Sequence, residues 1–144
     1  MKTLIIIWLP LLLICSSSCR KEKKSTKYPA PVWKVAADGQ YAASMTAIVK
    51  LPDNLQPSAG TGDKYAAFVK SECRSIGTVV TAGNVSLVYF LIQGAATEQD
   101  KVSFRYYNAK QSYLFYTEAM FSFVADGNYG TVDDPVVLDL KQIK

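Results

Sequence analysis

The chain has 144 residues, 49% of them hydrophobic and 19% charged, which is the balance of one globular domain and excludes a disordered chain. Histidine is absent, which excludes His-based triads, His metal sites and imidazole acid–base chemistry together. The net charge of +4 sits mostly at the front, where residues 20–27 hold five basic side chains and one acidic; residues 28–144 are close to neutral. Nucleic-acid binding needs basic groups arrayed on the folded surface, so that class is excluded as well.

Met1–Thr3 is a short positive segment, and Leu4–Ile14 is an apolar run containing Pro10. Eleven residues are too few to cross about 30 Å of hydrocarbon as a helix, and the run fits the apolar part of a secretory leader. Three serines, Ser16 to Ser18, stand directly before Cys19. That stretch resembles the cleavage box of bacterial lipoproteins, although Ser16 occupies a place where an aliphatic residue is usual. The resemblance implies that Cys19 carries diacylglycerol and begins the mature chain; Cys15, preceded by Ile14, fits the box less well. Ordinary signal-peptidase cleavage within the serine run, releasing a secreted protein, is the alternative. On the lipoprotein reading the chain divides into a signal peptide at 1–19, a basic tether at 20–32 and a folded domain at 33–144. Cys19 then makes the lipid membrane a partner, and two or more acyl chains on one residue give stable anchoring. Arg20, by resemblance to lipoprotein sorting rules, points to the outer membrane or cell envelope.

Short strands between turns follow. Tyr41–Leu51 alternates, with Ala43, Met45, Ala47, Val49 and Leu51 on one face, and residues 52–63 form a polar loop rich in Pro and Gly. Strands are expected at Tyr65–Val69, Ser75–Val80, Val85–Ile92, Val102–Tyr107, Tyr113–Phe123 and Val136–Leu140, with Val85–Ile92 apolar enough to be central. If Asn108 opposes Tyr113, then Tyr106 pairs with Phe115, Phe104 with Thr117 and Val102 with Ala119. Arg105 then pairs with Tyr116, and Ser103 with Glu118, on the opposite face. The expectation is all-β: an antiparallel sandwich of about seven or eight strands, Ig-like or jelly-roll-like.

Asp63-Lys-Tyr-Ala-Ala-Phe-Val-Lys-Ser-Glu-Cys-Arg-Ser-Ile-Gly77 is the most distinctive stretch. It resembles an Asp-x-x-Ala-Phe-Val-x-x-Glu-Cys-Arg motif of small uncharacterised β-sandwich modules in lipoproteins and secreted proteins of gut-type Gram-negative bacteria. The likeness extends to Met45–Val49, Val102–Ala109, Leu114–Tyr116 and Asp126–Thr131, and departs at Ser75, where glycine is commoner. It implies a fold and an address, without an activity. On an extended strand Glu72 and Arg74 share one face and Cys73 takes the other. A same-face ion pair with a buried thiol explains the trio structurally; a reactive cysteine would need a base, and histidine is lacking.

Asp126–Asp134 spaces oxygen ligands like a calcium loop but lacks the turn glycine and the closing glutamate of an EF-hand, and a glycine-rich turn accounts for the same residues. Glu72, Glu98, Glu118 and Asp126 are the carboxylates that paired acid–base chemistry would need, but no insertion supplies a cleft. No catalytic, cofactor or metal residue is therefore assigned. Arg105, Tyr107 and Tyr116, on the outward face of the predicted hairpin, are the candidate ligand platform, since tyrosines offer apolar area with a polar tip. Cover by the tether or a loop is the competing reading of that face. The expected function is a non-enzymatic, envelope-anchored module binding a carbohydrate or a protein partner. A structural subunit of a surface appendage, pairing through an edge near Val136–Leu140, is the alternative, with a small hydrolase third.

Overall fold

From Ala43 onward the alternation of side chains builds strand β1 (Ala43–Lys50), with Met45, Ala47 and Val49 buried on one face. This computed structural model describes residues 25–37, 39–56 and 59–144. After β1 come β2 (Lys64–Val69), β3 (Glu72–Ile76), β4 (Thr78–Ala82), β5 (Val85–Gly94) and β6 (Lys101–Asn108). The chain finishes with β7 (Tyr113–Tyr116), β8 (Phe121–Ser122), β9 (Asn128–Tyr129), β10 (Val136–Val137) and β11 (Lys141–Gln142). They form two packed sheets, and the fold is an all-β sandwich.

One sheet, here the front, has the order β10-β1-β5-β4, with β9 also on β1. The back sheet has the order β11-β7-β6-β2-β3, with β8 also on β6. Pairing is antiparallel except at β1, which the returning segments β9 and β10 join in parallel. Between the sheets lies an aromatic seam: Phe90 of the front meets Phe104 of the back at 5.0 Å between centroids, and Phe104 meets Phe121 at 5.9 Å. Each such contact adds about 0.5–1.5 kcal/mol beyond the area it buries.

Three departures from the sequence expectation have physical causes. The strand expected at Ser75–Val80 is two strands, because the chain leaves the edge of the back sheet at Gly77 and joins the edge of the front one. A Cβ at Gly77 would lie 2.6 Å from a Val88 methyl and 2.8 Å from the Phe90 ring, so only glycine lets the chain cross this close to β5. The hairpin register holds from Asn108↔Tyr113 to Arg105↔Tyr116 and then slips: Val102 pairs with Phe121, not Ala119. The cause is Thr117, whose hydroxyl accepts the Phe104 N–H while its own N–H donates to the Phe104 carbonyl. Those bonds end the ladder and let Glu118 and Ala119 loop out to solvent. Finally, Val136–Leu140 is no single strand, because β10 pairs with the front sheet while β11 joins the back one.

The two ends of the sandwich differ. One end carries the termination of β1, the 52–63 loop, the β4–β5 turn at Gly83–Asn84 and the β6–β7 turn. The opposite end carries the β2–β3 turn, the β5–β6 connection and the 124–127 turn.

Candidate functional site

The outward side chains of β6 are Ser103, Arg105 and Tyr107, as alternation requires, because Val102, Phe104 and Tyr106 face the core. That face is not open. Residues 28–35 run down it as a strap: the Tyr28 N–H donates to the Ser112 carbonyl (2.8 Å), and Lys64 Nζ donates to the Pro31 carbonyl (2.8 Å). Trp33 meets Phe68 edge-on at 6.0 Å, and Trp33 and Val35 pack on the Ala66–Phe68–Cys73 cluster. Tyr107 is left 5% exposed, its hydroxyl donating to the Tyr28 carbonyl at 3.3 Å. The Arg105 guanidinium carbon lies over the Phe68 ring, 4.0 Å from its centroid, as a cation–π contact. Tyr116 pairs with Arg105 across the hairpin and stays half-buried. Of the three expected platform residues the structure thus brings Arg105 and Tyr116 together, while Tyr107 is buried under the protein's own chain.

The Glu72-Cys73-Arg74 motif sits at the far end of the back sheet. A bulge opposite Ala67 and Phe68 leaves Arg74 without a cross-strand partner and aims it off the sheet. Its guanidinium holds Glu98 in a fork at 2.9 and 3.2 Å, Glu72 at 3.1 Å and the Gln93 carbonyl at 3.1 Å, and lies 3.8 Å over the Tyr41 ring. The Arg74 and Glu98 side chains are 7% and 9% exposed. Five donors in a rigid fork suit this position, where the compact ammonium of a lysine could not match both Glu98 oxygens and span to Glu72 and the Gln93 carbonyl as well. Tyr41 donates to Glu72 at 2.7 Å, and chiefly for that reason the Glu72 carboxyl is held below the usual range. The two carboxylates thus share one guanidinium as partners in a clamp. Cys73 points the other way, under Trp33, and burial pushes its thiol up. A thiol in that environment is protonated at neutral pH and a poor nucleophile.

Asp63, which opens the motif, is equally architectural. Its carboxylate accepts from the Tyr106 hydroxyl (2.8 Å), the Ala109 N–H (2.8 Å) and the Gly60 N–H (3.0 Å), tying the 52–63 loop to the hairpin. Glu118 pairs with Lys141 at 3.0 Å on the surface. In the 126–134 stretch, Asp126 turns the chain at φ +56° and Thr131 and Asp134 close a small loop on each other, while the acidic side chains stay exposed. Among the described residues no group of three His, Cys, Asp or Glu side chains is placed to hold a metal. Cys19 lies outside the described residues.

The open face is on the front sheet. Thr46, Thr78, Tyr89, Leu91 and Gln93, with Ile76 and Val35 at its border, line a groove of about 550 Å³. Leu91 is 61% exposed and Tyr89 half-buried. No Asp, Glu, Lys or Arg lines the groove, which offers the outward ring of Tyr89, one amide and several hydroxyls. The run Val85–Ile92 conceals this surface in the sequence: Val88, Phe90 and Ile92 face the core, so Tyr89 and Leu91 face outward. Comparison with family models, with curated proteins and with solved structures finds no match.

Proposed function

We propose that the protein is a non-enzymatic binding module of the bacterial cell envelope, anchored in the outer membrane through lipid on Cys19, and that the front groove takes a neutral carbohydrate. The observation that carries this reading is the groove's lining of Tyr89, Leu91 and Gln93 on β5 with Thr46 of β1 and Thr78 of β4, none of them an acidic or basic residue. A sugar ring stacks on a tyrosine face and is oriented by amide and hydroxyl partners, and no ionised group is needed on either side. An uncharged strip of an envelope protein is the other ligand that such a lining accommodates. Residues placed by β-strands hold their geometry better than residues on loops, which favours recognition over capture.

An immobilised-glycan array probed with the full-length protein tests the proposal. Wild type is expected to bind neutral glycans, Tyr89→Ala and Gln93→Ala to lose that binding by about tenfold or more, and Tyr116→Ala to keep it. Binding that survives at Tyr89→Ala and disappears at Tyr116→Ala would return the site to the back sheet. Absence of glycan binding by a folded wild-type protein would remove the carbohydrate.

A further inference from the structure

The described chain begins at the end of the sandwich that carries the β4–β5 turn. Residues 25–27 lie against Tyr113, beside the β6–β7 turn, where the Tyr28 N–H is bonded to the Ser112 carbonyl. At that same end Val79 and Ser86 share a hollow with residues 60–63, and Ala82 pairs with Val85 across Gly83–Asn84. The hairpin is chemically distinct from the rest of the surface. No charged residue occurs from Ser75 to Thr97, and Val79, Val80 and Val85 are 49%, 44% and 42% exposed. Lys27, Lys50, Lys64 and Lys110 lie toward the hairpin end together with Asp53 and Asp63, while the opposite end carries Lys70, Arg74 and Lys101 with Glu72, Glu98 and Asp100.

We propose that the tip of the β4–β5 hairpin is a lipid-contacting element, with Val80 and Val85 entering the interfacial layer of the membrane that holds the protein. The proposal rests on the lipid-anchored reading of Cys19. Five residues stand between Cys19 and Ser25, a reach of at most about 20 Å when fully extended, so the hairpin end is the one held against the bilayer. Uncharged valines lose nothing on leaving water there. Depth is limited by the backbone. The outer edge of β4 has unpaired N–H and C=O groups that the hydrocarbon core cannot satisfy, so contact stops at the hydrated interface. Tip-down docking turns the opposite end, with the Arg74 clamp, away from the membrane and leaves the front groove facing sideways.

The test uses the full-length protein in phosphatidylethanolamine–phosphatidylglycerol vesicles, with an environment-sensitive fluorophore on Val80→Cys, on Asn84→Cys, or on Thr97→Cys at the opposite end. Spin-labelled lipid is expected to remove about half the emission at positions 80 and 84 and to leave position 97 unchanged, as shallow interfacial insertion requires. Palmitate labelling of the same samples separates the two layers of the argument. Acylated protein with no quenching at 80 and 84 overturns the hairpin contact and leaves the anchor standing; protein without label overturns the anchor, and the proposal with it. A spectral change at Val80 that needs no lipid and grows with protein concentration would assign the hairpin edge to a second copy of the chain, and would also overturn it.

Discussion

The two sheets use their outward faces in opposite ways. The back sheet presents the more conspicuous chemistry, with Arg105, Tyr107, Phe68 and Cys73, and the protein seals most of it under its own residues 28–35. The front sheet presents Tyr89, Leu91 and Gln93 among threonines, and leaves them open. An aromatic outward face is therefore not by itself a platform; it becomes one only where no segment of the same chain has more to gain by covering it. A Pro-containing strap without charged residues between Tyr28 and Trp33, reaching Phe68 with a tryptophan, is suited to that cover.

The largest effect expected lies at the Arg74 clamp, which ties the edge of the back sheet to Gln93 of the front one. Arg74→Ala leaves Glu98 buried without its partner and should lower stability by about 3–5 kcal/mol in denaturant unfolding. A loss below about 1 kcal/mol would mean that the fork is not formed in solution. Trp33→Ala removes the lid over Cys73 and should lower stability by about 1–2 kcal/mol, because half-buried aromatic area is lost. Alkylation at Cys73 should accelerate in the same variant, and an unchanged rate would show that the strap does not protect the thiol. Tyr107→Phe removes one 3.3 Å hydroxyl bond to the strap and should cost about 0.5–1 kcal/mol.

Smaller still is the pH effect at the exposed rim of the clamp. Glu72 has a folded-state pKa below its unfolded value, which is about 4.3, so its contribution is present above that pH and fades as the pH falls through the lower folded value. The difference in Tm between wild type and Glu72→Gln should accordingly shrink between pH 7 and pH 3; a constant difference would remove the carboxylate from the account. On the open sheet, Leu91→Ala should change stability by no more than about 0.5 kcal/mol, since its side chain is mostly in solvent.

How far these features were legible in the sequence depends on how local they are. Alternation located β1 and the face of each β6 residue, and hairpin arithmetic gave the register through Arg105↔Tyr116. The Glu72–Arg74 ion pair and the buried Cys73 followed from the two-residue strand period. What stayed hidden needed distant partners. Glu98 reads as a turn residue until the fold brings it 24 positions back to Arg74. Thr117 reads as one more strand residue until its hydroxyl takes the Phe104 N–H. Gly77 sits in an apparently continuous strand, and only the closeness of Val88 and Phe90 reveals a crossing between sheets. The strap could be weighed as cover for the back sheet, but no pattern in residues 28–35 distinguishes docking from a solvated spacer, since no strand ladder holds it.

Differential thiol accessibility tests the contrast between the two faces most directly. In the full-length protein, Leu91→Cys on the front sheet and native Cys73 under the strap are exposed to the same alkylating reagent, and each is read by mass spectrometry of its own peptide. A sealed back sheet and an open front one give modification at position 91 about a hundredfold faster than at Cys73, with Cys73 reaching the same rate only in denaturant. Comparable native rates at the two positions would contradict the account.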